Sequence, residues 1–189
     1  TICKNILFKK NIRTPKGISL NSLEDDSVDP FKKFEDQFGY RKKLFMKPSE
    51  DGSSIDIFKI SDNFEYIKSK NSCINKSREF LFEEEIEGKE YTVTIINDEC
   101  FPAIEIQTKN DFYDYNAKYL SDETILAEAK LSKKNLNLIN KISLEAYKAL
   151  NCSGWARVDI LQDNDGIFYV LEINTVPGMT SHSCVPKSG

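Results

Sequence analysis

Histidine is almost missing from these 189 residues: His182 stands alone. A histidine-based catalytic triad is therefore excluded, and His182 is expected to be structural. Cysteine is scarce and scattered. Cys3, Cys73, Cys100, Cys152 and Cys184 are odd in number and lack CxxC spacing, which argues against a disulfide framework or zinc site and suits a reducing cytoplasm. No apolar run approaches the roughly 18 residues of a membrane span, and no secretory signal is visible, so no membrane association is expected. Positive charge is not in excess. Lys and Arg number 26 against 30 Asp and Glu, a net −4, which gives no general attraction for nucleic acid. Polyphosphate would have to be bound by local lysines and arginines. Internal repeats and low-complexity tracts are lacking too. What is there, 40% hydrophobic and 30% charged residues, is the composition of a globular chain of one large or two small domains.

The elements read as α+β without regular strand–helix alternation. Thr1–Asn11 is expected to be an amphipathic helix with Ile2, Ile6 and Leu7 on its stripe, ended before Pro15 and Gly17. Asp29 caps a helix from Pro30 to Phe38 that stops at Gly39. Strands are expected at Leu44–Lys47, Ile55–Ile60, Phe80–Glu85, Tyr91–Asn97 and Pro102–Thr108, and helices at Asp62–Lys70 and Ser132–Leu150. Lys109–Glu128 reads as a functional surface loop. A lobe boundary near Gly88 divides the chain into 1–87 and 88–189.

The richest segment is Arg157 to Ser183. Asp165-Gly166 signals a two-residue hairpin turn between Val158–Leu161 and Ile167–Ile173. With those residues at the tip, Asn164 faces Ile167, Asp159 faces Glu172 and Arg157 faces Asn174. Alternation along the strands then sends all four of the outer side chains to one face. Two carboxylates directly opposite repel unless a cation lies between them, and Asp159, Glu172 and Asn174 are hard oxygen donors of the kind Mg²⁺ takes. Solvated residues on an edge hairpin are the bland alternative. An EF-hand loop is rejected, because Leu161 falls on its first ligand position and the flanks are not helical. After the hairpin, Gly178 can bring a backbone N–H to a ligand, and Thr180, Ser181 and Ser183 carry hydroxyls for an anion. Arg157 supplies a charged planar fork for carboxylate or phosphoryl oxygen. Together these features suit phosphoryl or acyl transfer. Upstream, Lys47 ends a strand before the polar loop Ser49–Ser54, where a point charge suits phosphate. Glu83, Glu84 and Glu85 are three adjacent carboxylates, costly unless solvated or paired.

The segments GWARVDI, YVLEINTVPGMTSHS, FYDYNAKYLSDET, FMKPSEDGSS and LFEEEIEGKEYTV closely resemble, in order, the D-alanine–D-alanine ligases of the ATP-grasp superfamily. Ordered matches run from about Phe45 to the end. The resemblance implies two sheet-bearing lobes enclosing ATP, with a further domain before Thr1 and a closing helix after Gly189, so the chain reads as a fragment. It implies that Lys47 contacts the α- and β-phosphates and that Ser53 and Ser54 lie in a mobile flap. Glu83, Glu84 and Ile86 would form the adenine link, Glu90 would hold the ribose, and Phe112 would pack on adenine. Lys118 would reach the γ-phosphate and Tyr119 would meet Ser53 near the first D-alanine. Asp159, Glu172 and Asn174 would hold two Mg²⁺, or Mn²⁺. Arg157 and the Gly178 N–H would stabilise the oxyanion, and Ser183 would bind the second D-alanine. Two departures occur: Asp51 stands where the family usually has glutamate, and Asp56 where it often has glycine.

The implied function is ligation of two D-alanines through an acyl phosphate, for peptidoglycan precursors, by a cytoplasmic enzyme that is a homodimer when full length. The alternatives are a D-alanine–D-lactate ligase, from which Tyr119 separates it, and a nucleotide-binding piece without turnover.

Overall fold

A computed structural model describes residues 2–50, 56–107, 125–178 and 184–188. The chain folds as α+β, with two antiparallel sheets in two compact units. The first unit is Pro15–Glu85; the second joins Ile2–Thr14 to Ile86–Gly189. The change of unit at Glu85–Ile86 lies just before Gly88. The Ile2–Thr14 segment, numbered with the first lobe in the sequence reading, belongs instead with the second unit. The reason is burial: Leu7 and Ile12 are core residues there.

In the first unit, strands β1 (Gly17–Leu20), β2 (Leu44–Pro48), β3 (Phe58–Ile60) and β4 (Phe80–Glu84) form a sheet in the order β1-β4-β2-β3. Helix α2 (Pro30–Phe38) starts as expected. The Asp29 carboxylate accepts from the Phe31 and Lys32 N–H groups, Pro30 needs no partner, and the helix stops at Gly39. Helix α3 (Asn63–Ser72) is capped by Asp62. Phe31 and Phe34 of α2 and Tyr66 of α3 share a core with Leu44, Met46, Phe80 and Phe82 from one face of the sheet.

The second unit has helices α1 (Ile2–Lys9), α4 (Lys133–Ala149) and a one-turn α5 (Cys184–Lys187). Its strands β5 (Gly88–Ile96), β7 (Ile104–Gln107), β8 (Ile125–Glu128), β9 (Trp155–Asp163) and β10 (Phe168–Asn174) run in the order β10-β9-β5-β7-β8, with short β6 (Glu99–Cys100) beside β5. Tyr91, Val93 and Ile95 alternate into the core with Ala156, Val158 and Ile160 and meet Ile139, Ala146 and Tyr147 of α4. This leaves Thr92, Thr94, Arg157 and Asp159 on the opposite face. No helix among the described residues is long and apolar enough to cross a membrane.

Several expectations are corrected. Strand β1 is not among the expected elements, and β8 lies inside the stretch expected to be loop; both are short edge strands that only pairing with β4 and β7 defines. On α1 only Leu7 is buried, while Ile2 is 78% exposed, because a single turn of the helix meets the core. The terminal hairpin does not close on a two-residue turn. Asp163 faces Ile167, with Gly166 N–H donating to the Asp163 carbonyl at 2.9 Å and Asp163 N–H to that of Ile167 at 3.0 Å. The loop is therefore Asn164–Gly166, and Gly166 takes the left-handed φ of +81° that a three-residue hairpin loop requires. The Asp163 carboxylate holds it, accepting from the N–H groups of Asp165 and Ile167 at 3.0 and 2.8 Å. Pairing near the turn is thus offset by one residue, and a β-bulge between Val170 and Glu172 removes the offset.

Candidate functional site

Because of that bulge, Glu172 pairs with Asp159 and Asn174 with Arg157, as expected. Without it, Leu171 would oppose Asp159 and Glu172 would turn to the core face. On the adjoining strand Thr92 pairs with Asp159 and Thr94 with Arg157. The face therefore collects Glu90, Thr92, Thr94, Arg157, Asp159, Glu172 and Asn174 from three neighbouring strands.

Asp159 is buried, with 5% exposure, and Thr92 more so, at 1%. Arg157 grips Asp159 with a side-on fork: Nε donates to Oδ1 and Nη2 to Oδ2, both at 2.8 Å. The Thr92 hydroxyl donates to Oδ1 at 2.7 Å. Burial alone would make Arg157 easier to deprotonate, but the charge and hydrogen bonds of Asp159 outweigh it and raise its pKa, with smaller help from Cys184 and Glu172. The cation that relieves the Asp159–Glu172 repulsion in this structure is thus Arg157. Glu172 is exposed and its carboxylate makes no hydrogen bond among the described residues. The Asn174 amide oxygen accepts from the Val176 N–H at 2.9 Å. Among the described residues no three His, Cys, Asp or Glu side chains cluster as a metal centre would. Gly178 is exposed, four residues beyond β10.

In the first unit the acidic run at the end of β4 is buried and paired. Glu83, Glu84 and Glu85 are 2%, 7% and 8% exposed. Glu83 forms an ion pair with Lys47, which lies diagonally across the β2–β4 ladder on the same face. Glu84 turns to the other face, where the Tyr40 hydroxyl donates at 2.6 Å, the Lys16 N–H donates at 3.0 Å and the Lys42 ammonium lies at 4.0 Å. Glu85 meets Lys59 at 2.6 Å. Each carboxylate has a cation beside it, which offsets the mutual repulsion of the run. Lys47 and Glu83 are brought together on one face, whereas Glu84 points away from them. Ile86 is half-buried, the first residue of the second unit's run. The predicted Ser53, Ser54, Phe112, Lys118, Tyr119 and Ser183 lie outside the described residues.

Thr92 is the functional candidate that sequence reading missed. The signal was present: Glu90, Thr92 and Thr94 alternate with apolar residues in EYTVTI, a period of two that marks a polar strand face. No such signal pointed to Tyr40, Lys42 or Lys59, which reach their carboxylates only through β-pairing and loop return.

The family model described as D-ala D-ala ligase C-terminus matches residues 13–189. The chain belongs to the D-alanine–D-alanine ligase family. Solved structures of that family agree. A D-alanine–D-alanine ligase from Bacillus anthracis is 38% identical, with a TM-score of 0.82 over 99% of this chain and 59% of its own. The Bacillus anthracis ligase complexed with ATP is 34% identical, with a TM-score of 0.78 over 99% of this chain and 57% of its own. The VanG D-Ala:D-Ser ligase from Enterococcus faecalis is 28% identical, with a TM-score of 0.81 over 98% and 54%. The chain thus spans rather more than half the length of the ligases it matches. Its mixed fold with two antiparallel sheets is that of ATP-grasp ligases, and the family's enzymes are ATP-dependent ligases.

Proposed function

We propose that the protein carrying this chain joins two D-alanines at the expense of ATP, forming D-alanyl-D-alanine for peptidoglycan precursors in the cytoplasm. The observation that carries this reading is the face on which Arg157, Asp159, Glu172 and Asn174 meet, in a member of this ligase family. The carboxylate of the first D-alanine attacks the γ-phosphate, ADP leaves, and an acyl phosphate results. The amine of the second attacks its carbonyl and expels phosphate. Lys47, oriented by Glu83, presents a point charge to the α- and β-phosphates. Only two of the Arg157 N–H donors engage Asp159, so the guanidinium can also hold the oxyanion of the tetrahedral intermediate, with the Gly178 N–H. Glu83, Glu84 and Ile86 border adenine, Phe112 packs on it and Glu90 takes the ribose. Ser53, Ser54 and Lys118 would serve the phosphates, Tyr119 the first D-alanine and Ser183 the second.

Asp159, Glu172 and Asn174 form an all-oxygen donor set that fits Mg²⁺ or Mn²⁺. Among the described residues the Glu172 carboxylate makes no hydrogen bond and Asp159 Oδ2 accepts one. Divalent ions bound there would neutralise phosphate charge in transfer. The full-length enzyme is read as a homodimer.

The test is phosphate release from Mg-ATP by the full-length protein, with product analysis. Release that depends on D-alanine and yields D-alanyl-D-alanine is expected, and the 189-residue chain alone should turn over poorly. Release driven instead by L-alanine, or none with D-alanine, overturns the reading. D-Lactate and D-serine as competing acceptors decide the ligase class. The likeness to a D-Ala:D-Ser ligase makes D-serine the necessary comparison.

A further inference from the structure

Asp159 is held from two sides, and the two holds are unequal. Among the described residues its Oδ1 takes both the Arg157 Nε–H and the Thr92 hydroxyl, while Oδ2 takes the Arg157 Nη2–H alone. Thr92 sits on the middle strand directly opposite Asp159. Its alternative acceptor, the Val158 carbonyl, is 3.4 Å away against 2.7 Å for Oδ1, so the carboxylate is the better partner. The next hydroxyl on that face is occupied elsewhere: Thr94 Oγ1 accepts from Ser188 Oγ at 2.9 Å.

We propose that Thr92 is a positioning residue that fixes the Asp159 carboxylate, engaging Oδ1 so that Oδ2 is the oxygen presented to a divalent cation shared with Glu172 and Asn174. This rests on the metal reading above and deepens it. The torsion that turns an aspartate carboxylate is broad, so the side chain alone does not fix the plane of its oxygens. The Arg157 fork engages both oxygens alike, one donor to each. Thr92 adds a second donor to one of them, which leaves the other with the freer lone pair for a cation. Its β-branched side chain is stiff at χ1 and buried at 1% exposure. A ligand carboxylate fixed by an outer hydrogen bond binds metal more tightly, and loss of such a partner typically weakens affinity about 10- to 100-fold.

The experiment is titration of the chain with Mn²⁺ alone, free ion being read by electron paramagnetic resonance, with thermal melting in parallel. Wild type should bind Mn²⁺ and Glu172→Gln should largely lose it. Thr92→Val, equal in shape without the hydroxyl, should weaken binding about 10- to 100-fold with little change in melting. Thr92→Ala should weaken it alike, and Thr92→Ser should bind nearly as wild type. Val and Ala variants that bind as wild type, or a Ser variant as weak as they are, overturn the role of Thr92 while leaving the metal site standing. Wild-type binding that Glu172→Gln does not disturb overturns the metal reading, and Thr92's role with it.

Discussion

Replacing Arg157 by methionine tests the centre of the site most directly. The substitution keeps an apolar stem and removes the fork that covers Asp159. Asp159 is then left 5% exposed with the Thr92 hydroxyl as its remaining hydrogen-bond donor among the described residues. Removing one partner of a buried ion pair costs about 3–5 kcal/mol, because the other charge stays desolvated. The Arg157 side chain is itself 16% exposed, so water reaches the edge of the pair, and the lower end, about 3 kcal/mol, is expected. That is roughly two powers of ten in the unfolding equilibrium. Asp159→Asn in the Arg157→Met background removes the stranded charge and should recover about 1–2 kcal/mol, a coupling within the range of contacting pairs. Trp155, the only tryptophan, opens β9, so its fluorescence during urea unfolding follows the second unit alone. A cost below about 1 kcal/mol for Arg157→Met, or a double variant that loses the full sum of the singles, would mean that Asp159 needs no counter-charge and would refute the reasoning.

Glu172→Gln should abolish most ATP-dependent ligation by the full-length protein while leaving thermal stability unchanged or slightly higher, since Glu172 is exposed and like charge opposite Asp159 is relieved. Lower stability with normal kinetics would make it structural. Gly88→Ala should destabilise by about 2–4 kcal/mol, as an added Cβ would lie 1.9 Å from the Gln162 carbonyl oxygen at a φ of +154°; denaturant unfolding within 1 kcal/mol of wild type would contradict the close strand approach. Asp29→Ala should cost about 1 kcal/mol through loss of the α2 cap. Burial alone would raise the Asp29 pKa, but hydrogen bonds from Asn63, Lys32 and Phe31 lower it overall. That stabilisation is therefore present above the unfolded value near ~3.9 and fades as pH falls through the lower folded value. Wild type and Asp29→Ala should converge in acid, and a gap that widens there would contradict the assignment.

Local chemistry was legible where a signal is carried by neighbours in sequence. Asp29-Pro30 and Gly39 bounded α2, Ser132 opened α4, and the alternation of side chains along the terminal hairpin was readable from Asp165-Gly166 and its flanks. The same alternation set Arg157, Asp159, Glu172 and Asn174 on one strand face. The route to that register was not legible. A hairpin bulge and a turn longer by one residue are nearly silent in sequence, since either alone would reverse the face of Glu172 and only their combination keeps Ile173 in the core. The acidic run shows the same division. Sequence established that Glu83, Glu84 and Glu85 needed partners, because adjacent carboxylates repel. Which lysine serves which carboxylate was decided by β2 and β3 pairing beside β4 and by the return of the Tyr40–Lys43 loop, contacts made between residues some 26 to 44 positions apart. Sequence determined which residues had to be buried, capped or paired; the tertiary structure chose their partners, since charge and hydrogen-bond requirements are local but their satisfaction is not.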